Sequence, residues 1–543
     1  MIIKPFRSSL LEIIQSESRI ELRRMCLFSA LVGLSGALII AVLNQAAGHI
    51  IENESSTFEF FAFVFCLAFY LYFYRVNNRE SVQSTQGLIY RFRLNIIKLV
   101  LKSDLSIFKV ISKNEIQMRV TRDTQMVSQA IVTIVTIGQS SAIVFFALIY
   151  LATLSWIASI LMLGFLLVTL LIFLKVEKKA TAELRVSYAE DSKTFEFVAE
   201  FLSGFQEIKM SSKRARGFIE DLVSSAKKSR ETREESLITL GKTFSFLQII
   251  LYVAVGMLIF VVPVLSDSFS DVVLKVTTTS LFMVGSFQSV FTSLPMIVQA
   301  EASAKQLLSL KNTLEQTHNQ ANLKDTEDQY VNAKRLTLHG IAYQYQSLEE
   351  KRHFDLGPIT TTFEAGKVYF IRGQNGSGKT TLIRVLLGLY APTKGFITVD
   401  DQLVNQPSSS AYRDLFAVVF SDFFLFNKLY GISQESLAEG QSLIEMFQLE
   451  DKVSILNNQF GTINLSTGQR KRLGLIEALL EDKQFVVLDE WAADQDPEFR
   501  KYFYQVLIPY IKGLGKTLIA ISHDDKYFDV ADEIITINQG KLA

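Results

Sequence analysis

Cysteine is almost absent from this chain: two copies in 543 residues, Cys26 and Cys66, both inside strongly apolar stretches. That scarcity excludes a disulfide framework and a cysteine-based zinc site. Histidine is nearly as rare, and its five copies are scattered without ligand spacing. Net charge is missing too, since 55 Lys and Arg meet 55 Asp and Glu. Binding a phosphate backbone demands a basic footprint, so no nucleic-acid partner is expected. A cleavable signal is also lacking: residues 1–25 are amphipathic, but their basic residues Arg19, Arg23 and Arg24 stand at the wrong end. The stretch reads as an interfacial helix, with no leader-peptidase domain ahead of the first apolar segment. No internal repeat is present.

What the chain has instead is apolar mass, 49% of its residues with 42 Phe among them, and a mean hydropathy of +0.24. Crossing ~30 Å of hydrocarbon takes about 20 helical residues. Windows suited to this lie at 26–47, 58–74, 129–151, 155–174, 243–265 and 276–298. The second is short and carries Glu59 near one end, but its aromatic density suits a membrane. Between spans two and three, Arg79 to Arg122 supply nine Lys and Arg, and between spans four and five Lys175 to Lys242 supply fourteen. The opposite loops, 44–57, 152–154 and 266–274, hold none and carry Glu52, Glu54, Asp267 and Asp271. Basic residues stay inside, so both long connections, the N-terminus and the C-terminal part are assigned to the cytoplasm. The long connections keep helical periodicity at 88–105 and 195–219, so the membrane helices should run well past the bilayer. Residues 315–334 are polar and rich in Asn, Gln, Asp and Glu, as a linker would be. This gives a membrane domain at 1–310, a linker at 311–334 and a soluble α/β domain at 335–543.

In the soluble part, Gly373, Gln374, Asn375, Gly376, Ser377, Gly378 and Lys379, followed by Thr380 and Thr381, fit the phosphate-binding pattern G-x-x-x-x-G-K-[ST]. An apolar run at 368–371 enters the loop as a buried strand would, and 381–389 leaves it with helical spacing. Glycines let backbone N–H groups close around phosphate oxygens, and the helix N-terminus adds positive potential. ATP is the expected ligand, with Lys379 reaching its β- and γ-phosphates and Thr380 offering a hydroxyl to Mg²⁺. A second apolar strand, 485–488, is closed by Asp489 and Glu490. Phosphoryl transfer needs positioning and charge neutralisation, so Asp489 is assigned to the metal and Glu490 to the attacking water. A third strand, 517–521, ends at Ser522 and His523, placing His523 for the γ-phosphate.

Leu465, Ser466, Thr467, Gly468 and Gln469 open a further helix, and here the chain resembles the ATP-binding cassette transporters, whose usual motif is L-S-G-G-Q. The likeness covers six spans followed by one cassette, so it implies a membrane helical bundle of exporter type joined to an α/β P-loop domain. It further implies that Ser466, Gly468 and Gln469 face a nucleotide held by a second cassette. A homodimer in the lipid bilayer is the expected assembly. Tyr345 matches the family's adenine-stacking aromatic, and Asp496 the end of its D-loop. Short transverse helices near Asp104 to Ser112 and near Glu200 to Lys209 should dock on the cassettes.

Three positions depart from the pattern. Ser421 stands where Gln usually contacts the metal, Thr467 replaces the first Gly, and Trp491 replaces the Pro after Glu490. Together with Arg470, Lys471 and Arg472 these residues resemble the bacterial cyclic-peptide and siderophore-peptide exporters. The resemblance implies peptide-type cargo (cyclic peptide, lipopeptide or siderophore peptide) moved across the inner membrane, with ATP hydrolysis resetting the helices. A lipid or multidrug flippase, and a membrane regulator switched by ATP, are the competing expectations. Gln139, Gln248, Gln288 and Ser289 are the polar candidates for a cargo site, and Lys275 reads as a snorkelling end residue.

Overall fold

The computed structural model describes residues 8–51, 55–103, 105, 107–261, 263, 272–318, 330, 333–344, 355–407 and 409–543. It divides into two compact units, Met1–Lys102 with Phe108–Gln316, and Ser103–Ile107 with Thr317–Ala543.

The first unit is helical. Its long members are α1 (Ser9–Ile51), α2 (Thr57–Lys102), α5 (Thr124–Leu154), α6 (Trp156–Ser203), α8 (Ser212–Phe260), α9 (Val273–Thr292) and α10 (Leu294–His318); α3 (Ile107–Val110), α4 (Lys113–Met118) and α7 (Phe205–Lys209) are short. Among the described residues, six stretches are long and apolar enough to cross a membrane, one in each window the composition selects. At 1.5 Å per residue, the 46 residues of α2 span about 70 Å, twice a hydrocarbon core. α1 runs unbroken from the interfacial segment into the first span, because no Gly or Pro interrupts 9–25. The sixth span does break, between α9 and α10, where Pro295 has no N–H for the ladder. The short helices α3 and α7 fall in the two stretches expected to hold transverse helices; Asp104 lies outside the described residues.

Packing in this unit follows from small residues and shared polar groups. A Cβ on Gly33 of α1 would lie 2.4 Å from Ala142 Cβ of α5, so only glycine permits that crossing. Glu301 of α10 caps the start of α1, accepting from Ser9 N at 2.7 Å and Leu10 N at 3.1 Å. A π-turn at Arg119–Asp123 frees carbonyls, and Arg93 of α2 donates to Val120 O at 3.0 Å and Thr121 O at 3.2 Å. Large apolar side chains elsewhere face outward, with Phe58 77% and Phe61 71% exposed, as lipid contact requires.

Helix α10 does not stop at 311, where the composition suggests that a linker begins. It continues to His318 because Leu310 and Leu314 are both fully buried on one face, and the i,i+4 pair Lys311–Glu315 lies along it.

The second unit contains a four-stranded antiparallel sheet, β2 (Asp355–Glu364), β1 (Arg335–Gln344), β4 (Lys394–Val399) and β5 (Gln402–Leu403) in spatial order. A six-stranded sheet runs β12 (Lys541–Leu542), β11 (Glu533–Asn538), β3 (Val368–Arg372), β10 (Thr517–Ile521), β9 (Phe485–Asp489), β6 (Phe416–Val419). From β11 to β6 every neighbour is parallel. Such strands are buried on both faces, which is why they read as unbroken apolar runs. Alternate residues feed two cores: Val368, Phe370, Val486, Leu488 and Leu518 on one side, Tyr369, Ile371, Phe485, Val487 and Ile519 on the other. The C-terminal ends of β3, β9 and β10 therefore converge, and each carries one of the sequence motifs.

Candidate functional site

Strand β3 ends at Arg372, and the chain turns through the glycine loop into the helix Lys379–Leu386. Two glycines are forced by geometry. Gly378 sits at φ +104°, which β-carbon-bearing residues avoid, and a Cβ on Gly373 would fall 2.2 Å from Ile537 O and 2.6 Å from Ser377 Oγ. The Lys379 ammonium is folded back over the loop, donating to Gly373 O at 2.9 Å and Gln374 O at 3.2 Å. Asn375, Gly376, Gly378, Lys379, Thr380, Thr381 and Glu490 line one cavity of about 370 Å³. The buried Ser377 hydroxyl has no hydrogen-bond partner among the described residues. A cradle of N–H groups, an ammonium and a spare hydroxyl suits a polyphosphate.

Asp489 closes β9 at 1% exposure. One carboxylate oxygen accepts from Ser421 Oγ at 3.2 Å; the other is buried without a partner among the described residues. Burial first, then the neighbouring Glu490 charge, push the Asp489 carboxyl above the usual carboxylate range, against the pull of Ser421. A buried, unpaired oxygen on an acid in this setting is what a divalent cation would satisfy. Asp489 with Ser421 bonded to it offers oxygen donors that fit Mg²⁺, and Thr380 on the cavity wall is the further hydroxyl that could join them. Ser421 reaches Asp489 directly, so the shorter side chain at the position usually held by Gln still joins the carboxylate end of the site. His523 Nε2 lies 3.5 Å from Glu490 Oε1, placing the last residue of the β10 motif beside the last of the β9 motif. The geometry brings together the phosphate loop, Asp489, Glu490, Ser421 and His523. Tyr345 lies outside the described residues.

The helix Thr467–Leu480 begins with Ser466 as N-cap. Ser466 Oγ accepts from Gln469 N, and Gln469 Oε1 accepts from Ser466 N, a reciprocal capping box. A Cβ on Gly468 would meet Asp494 O at 2.7 Å; Thr467 is exposed. The motif therefore tolerates a side chain at its third position and none at its fourth. Composition alone misses what lies behind it. Arg472 donates to Gln495 Oε1 at 3.0 Å and to Asp496 Oδ2 at 2.7 Å, its guanidinium 3.3 Å from the Phe499 ring centre. Gln495 Nε2 returns to Gly468 O at 3.1 Å. Asp496 accepts from Phe499 N at 2.8 Å, capping the helix Pro497–Tyr502. That backbone bond, with Arg472 beside it, holds the Asp496 carboxyl below the usual range. Arg500 gathers the carbonyls of Ala492, Ala493 and Gln495. The one sequence signal for these links is polar residues at buried helix positions, Lys471 and Arg472.

The polar membrane candidates are less concentrated. Ser289 accepts from Ser140 Oγ at 3.3 Å across α5 and α9, and half-buried Gln139 and Gln288 are the immediate chain neighbours of that pair. Gln248 is bonded to Tyr252 of its own helix at 3.1 Å. Lys275 gives its carbonyl to Asn44 Nδ2 at 3.2 Å.

Comparison with known proteins agrees with this geometry. Residues 356–493 match the family described as ABC transporter. The chain is 30% identical to "ATP-binding protein SyrD" of Pseudomonas syringae pv. syringae over 94% of its own length and 93% of that relative. It is 25% identical to "ATP-dependent lipid A-core flippase" of Chromohalobacter salexigens, covering 84% of this chain and 80% of that one. The fold superposes on a bacterial Atm1-family ABC exporter with ATP bound, with a TM-score of 0.73 and 18% identity over 96% of this chain and 94% of the other. With six helices apolar and long enough to cross a membrane among the described residues, one ATP-binding, ATP-hydrolysing cassette and the fold of an ABC exporter half-transporter, the chain belongs to the ABC transporters.

Proposed function

We propose that two copies of this chain form a homodimeric exporter that carries a peptide-type cargo from the cytoplasm across the bacterial inner membrane. The single observation behind the peptide reading is the cassette pattern of Thr467, Arg470, Lys471, Arg472 and Trp491, which resembles the cyclic-peptide and siderophore-peptide exporters. Inside each cassette, Asn375 to Thr381 hold the phosphates and Tyr345 stacks on the adenine. Lys379 swings from its loop carbonyls to the β- and γ-oxygens. Thr380, Asp489 and Ser421 would hold Mg²⁺, which when bound would supply charge neutralisation to the transferring phosphoryl group. Glu490 orients and deprotonates the attacking water, and His523 steadies the γ-phosphate. Ser466, Gly468 and Gln469 close over the nucleotide of the facing cassette, with Asp496 at the junction.

The test is ATP-driven transport in proteoliposomes with Glu490→Gln. A loss of about 100-fold or more is expected for removal of a general base; turnover at the wild-type rate would reject the assignment. The flippase reading is supported by the 25% identity to the lipid A-core flippase. Stimulation of ATPase by cyclic or lipidated peptides and not by lipid A separates the two.

A further inference from the structure

We infer that Lys471 is a positioning residue for hydrolysis, holding Glu490 in the backbone conformation that turns its carboxylate toward the nucleotide loop. Glu490 sits at φ +52°, ψ +36°, the left-handed region that a glutamate rarely adopts unless its surroundings impose it. Two contacts impose it here, and both come from one residue of the signature helix. The Lys471 ammonium donates to Glu490 O at 3.1 Å, and Lys471 O accepts from Trp491 Nε1 at 2.7 Å. Side chain and backbone of Lys471 thus hold the carbonyl of the Glu490–Trp491 peptide and the Trp491 indole that follows it. The Trp491 ring is anchored in turn, 1% exposed and 4.5 Å from the Phe503 ring centre.

The Lys471 side chain is only 3% exposed, while that of its ion-pair partner Asp494, at 2.7 Å, is 45% exposed. Burying a lysine head carries a desolvation cost that an ion pair at the surface would avoid. This lysine reaches inward and places that charge on the carbonyl of the residue lining the phosphate cavity. Released from the grip, Glu490 would relax toward an ordinary backbone region and its carboxylate would leave His523 and the cavity. The departure from family pattern at Trp491 then has a physical content: proline has no donor to reach Lys471 O.

The inference rests on Glu490 as the residue that activates water, and full-length protein in lipid nanodiscs tests both. Lys471→Met keeps the stem and leaves Asp494 in solvent, so no buried charge is stranded; Trp491→Phe removes the indole donor and keeps the ring. Lys471→Met should lower kcat for ATP about 10- to 100-fold, as small misplacements of catalytic groups do, with KM changed less than about twofold. Trp491→Phe should lower kcat about 3- to 10-fold, again with KM unmoved. In a Glu490→Gln background, followed by single turnover of labelled ATP, Lys471→Met should add no further loss. The inference is overturned if both variants keep kcat within about twofold of wild type, or if Lys471→Met slows the Glu490→Gln protein by the factor seen in wild type. Should Lys471→Met fail to give a monodisperse protein, Trp491→Phe decides alone. Wild-type turnover by Glu490→Gln would sink the underlying role of Glu490; a dead Glu490→Gln beside active Lys471 and Trp491 variants sinks the clamp alone.

Discussion

Thr467 and Gly468 are adjacent, yet the structure treats them oppositely. The first faces solvent; the second has Asp494 O where its Cβ would go, 2.7 Å away. Gly468→Ala should push the capping turn off the segment that follows Glu490 and lower ATPase roughly 10-fold or more. Thr467→Gly should leave the rate within about twofold, since the capping box does not use that side chain. Steady-state ATPase of the two purified variants checks the contrast. Glu477, on the same helix, has its carboxyl pushed up to about 7, first by burial and then by the Glu481 charge. The unfolded chain ionises it near 4.5, so the folded state holds the proton more tightly between those values. Stability is therefore full at low pH and is lost as pH rises through that window. Glu477→Gln should raise thermal stability at pH 8 by about 1–2 kcal/mol, discounted for the water the side chain still meets, and change little near pH 4.5. Melting curves at the two pH values read this directly. The glycine loop, Asp489, Glu490 and His523 were legible because each ends an apolar strand with a fixed chemical pattern. Lys471, Arg472 and Gln495 were not, because they join segments about 20 or more residues apart and such cross-links leave no periodic trace in a single sequence.

At the level of elements, apolar length alone located all six spans, since a helix in lipid must satisfy its backbone internally and can do so only over a long uncharged run. Where helices stop was harder to read. The break near Pro295 hides inside an apolar window, and the continuation of α10 to His318 depends on Leu310 and Leu314 finding a buried surface. Helix contacts were the least legible, since Glu301 caps α1 from 292 residues away. The crossing of α1 and α5 shows what such contacts demand. Gly33 meets Ala142 Cβ at a projected 2.4 Å and Ile143 N at 2.8 Å, whereas a Cβ at Gly36 would have 3.5 Å to its nearest neighbour. Gly33→Val should therefore overpack the pair at a cost of about 1–3 kcal/mol, while Gly36→Ala is absorbed. Size-exclusion profiles after graded heating in detergent should show Gly33→Val losing its monodisperse peak several degrees early, with Gly36→Ala tracking wild type.

The whole molecule is constrained by what one cassette holds. Lys379 and Ser466 belong to the same chain, but the proposed sandwich pairs the phosphate loop of one copy with the capped signature helix of the other. A two-fold dimer then contains two equivalent composite sites, each built from unlike surfaces of the two copies. Lys379→Ala alone disables both sites through the loop, and Ser466→Arg alone disables both through the signature helix. Mixing the two single variants gives a different answer. In a mixed dimer one site collects both defects and the other collects neither. Random pairing makes half the dimers mixed, each with one intact site of two, so if the sites act independently ATPase should recover to about a quarter of wild type in the unfractionated mixture and about half in the purified mixed dimer. Strict coupling between sites would lower that fraction without abolishing it. The measurement is ATPase after co-expression of the two variants with different affinity tags and sequential purification of the mixed dimer. Activity in the mixed dimer and in neither parent locates the site between copies. Equal silence in all three preparations, with nucleotide binding intact in the Ser466→Arg subunit, would contradict the shared sandwich, because a site formed across the dimer cannot fail where all of its own residues are present.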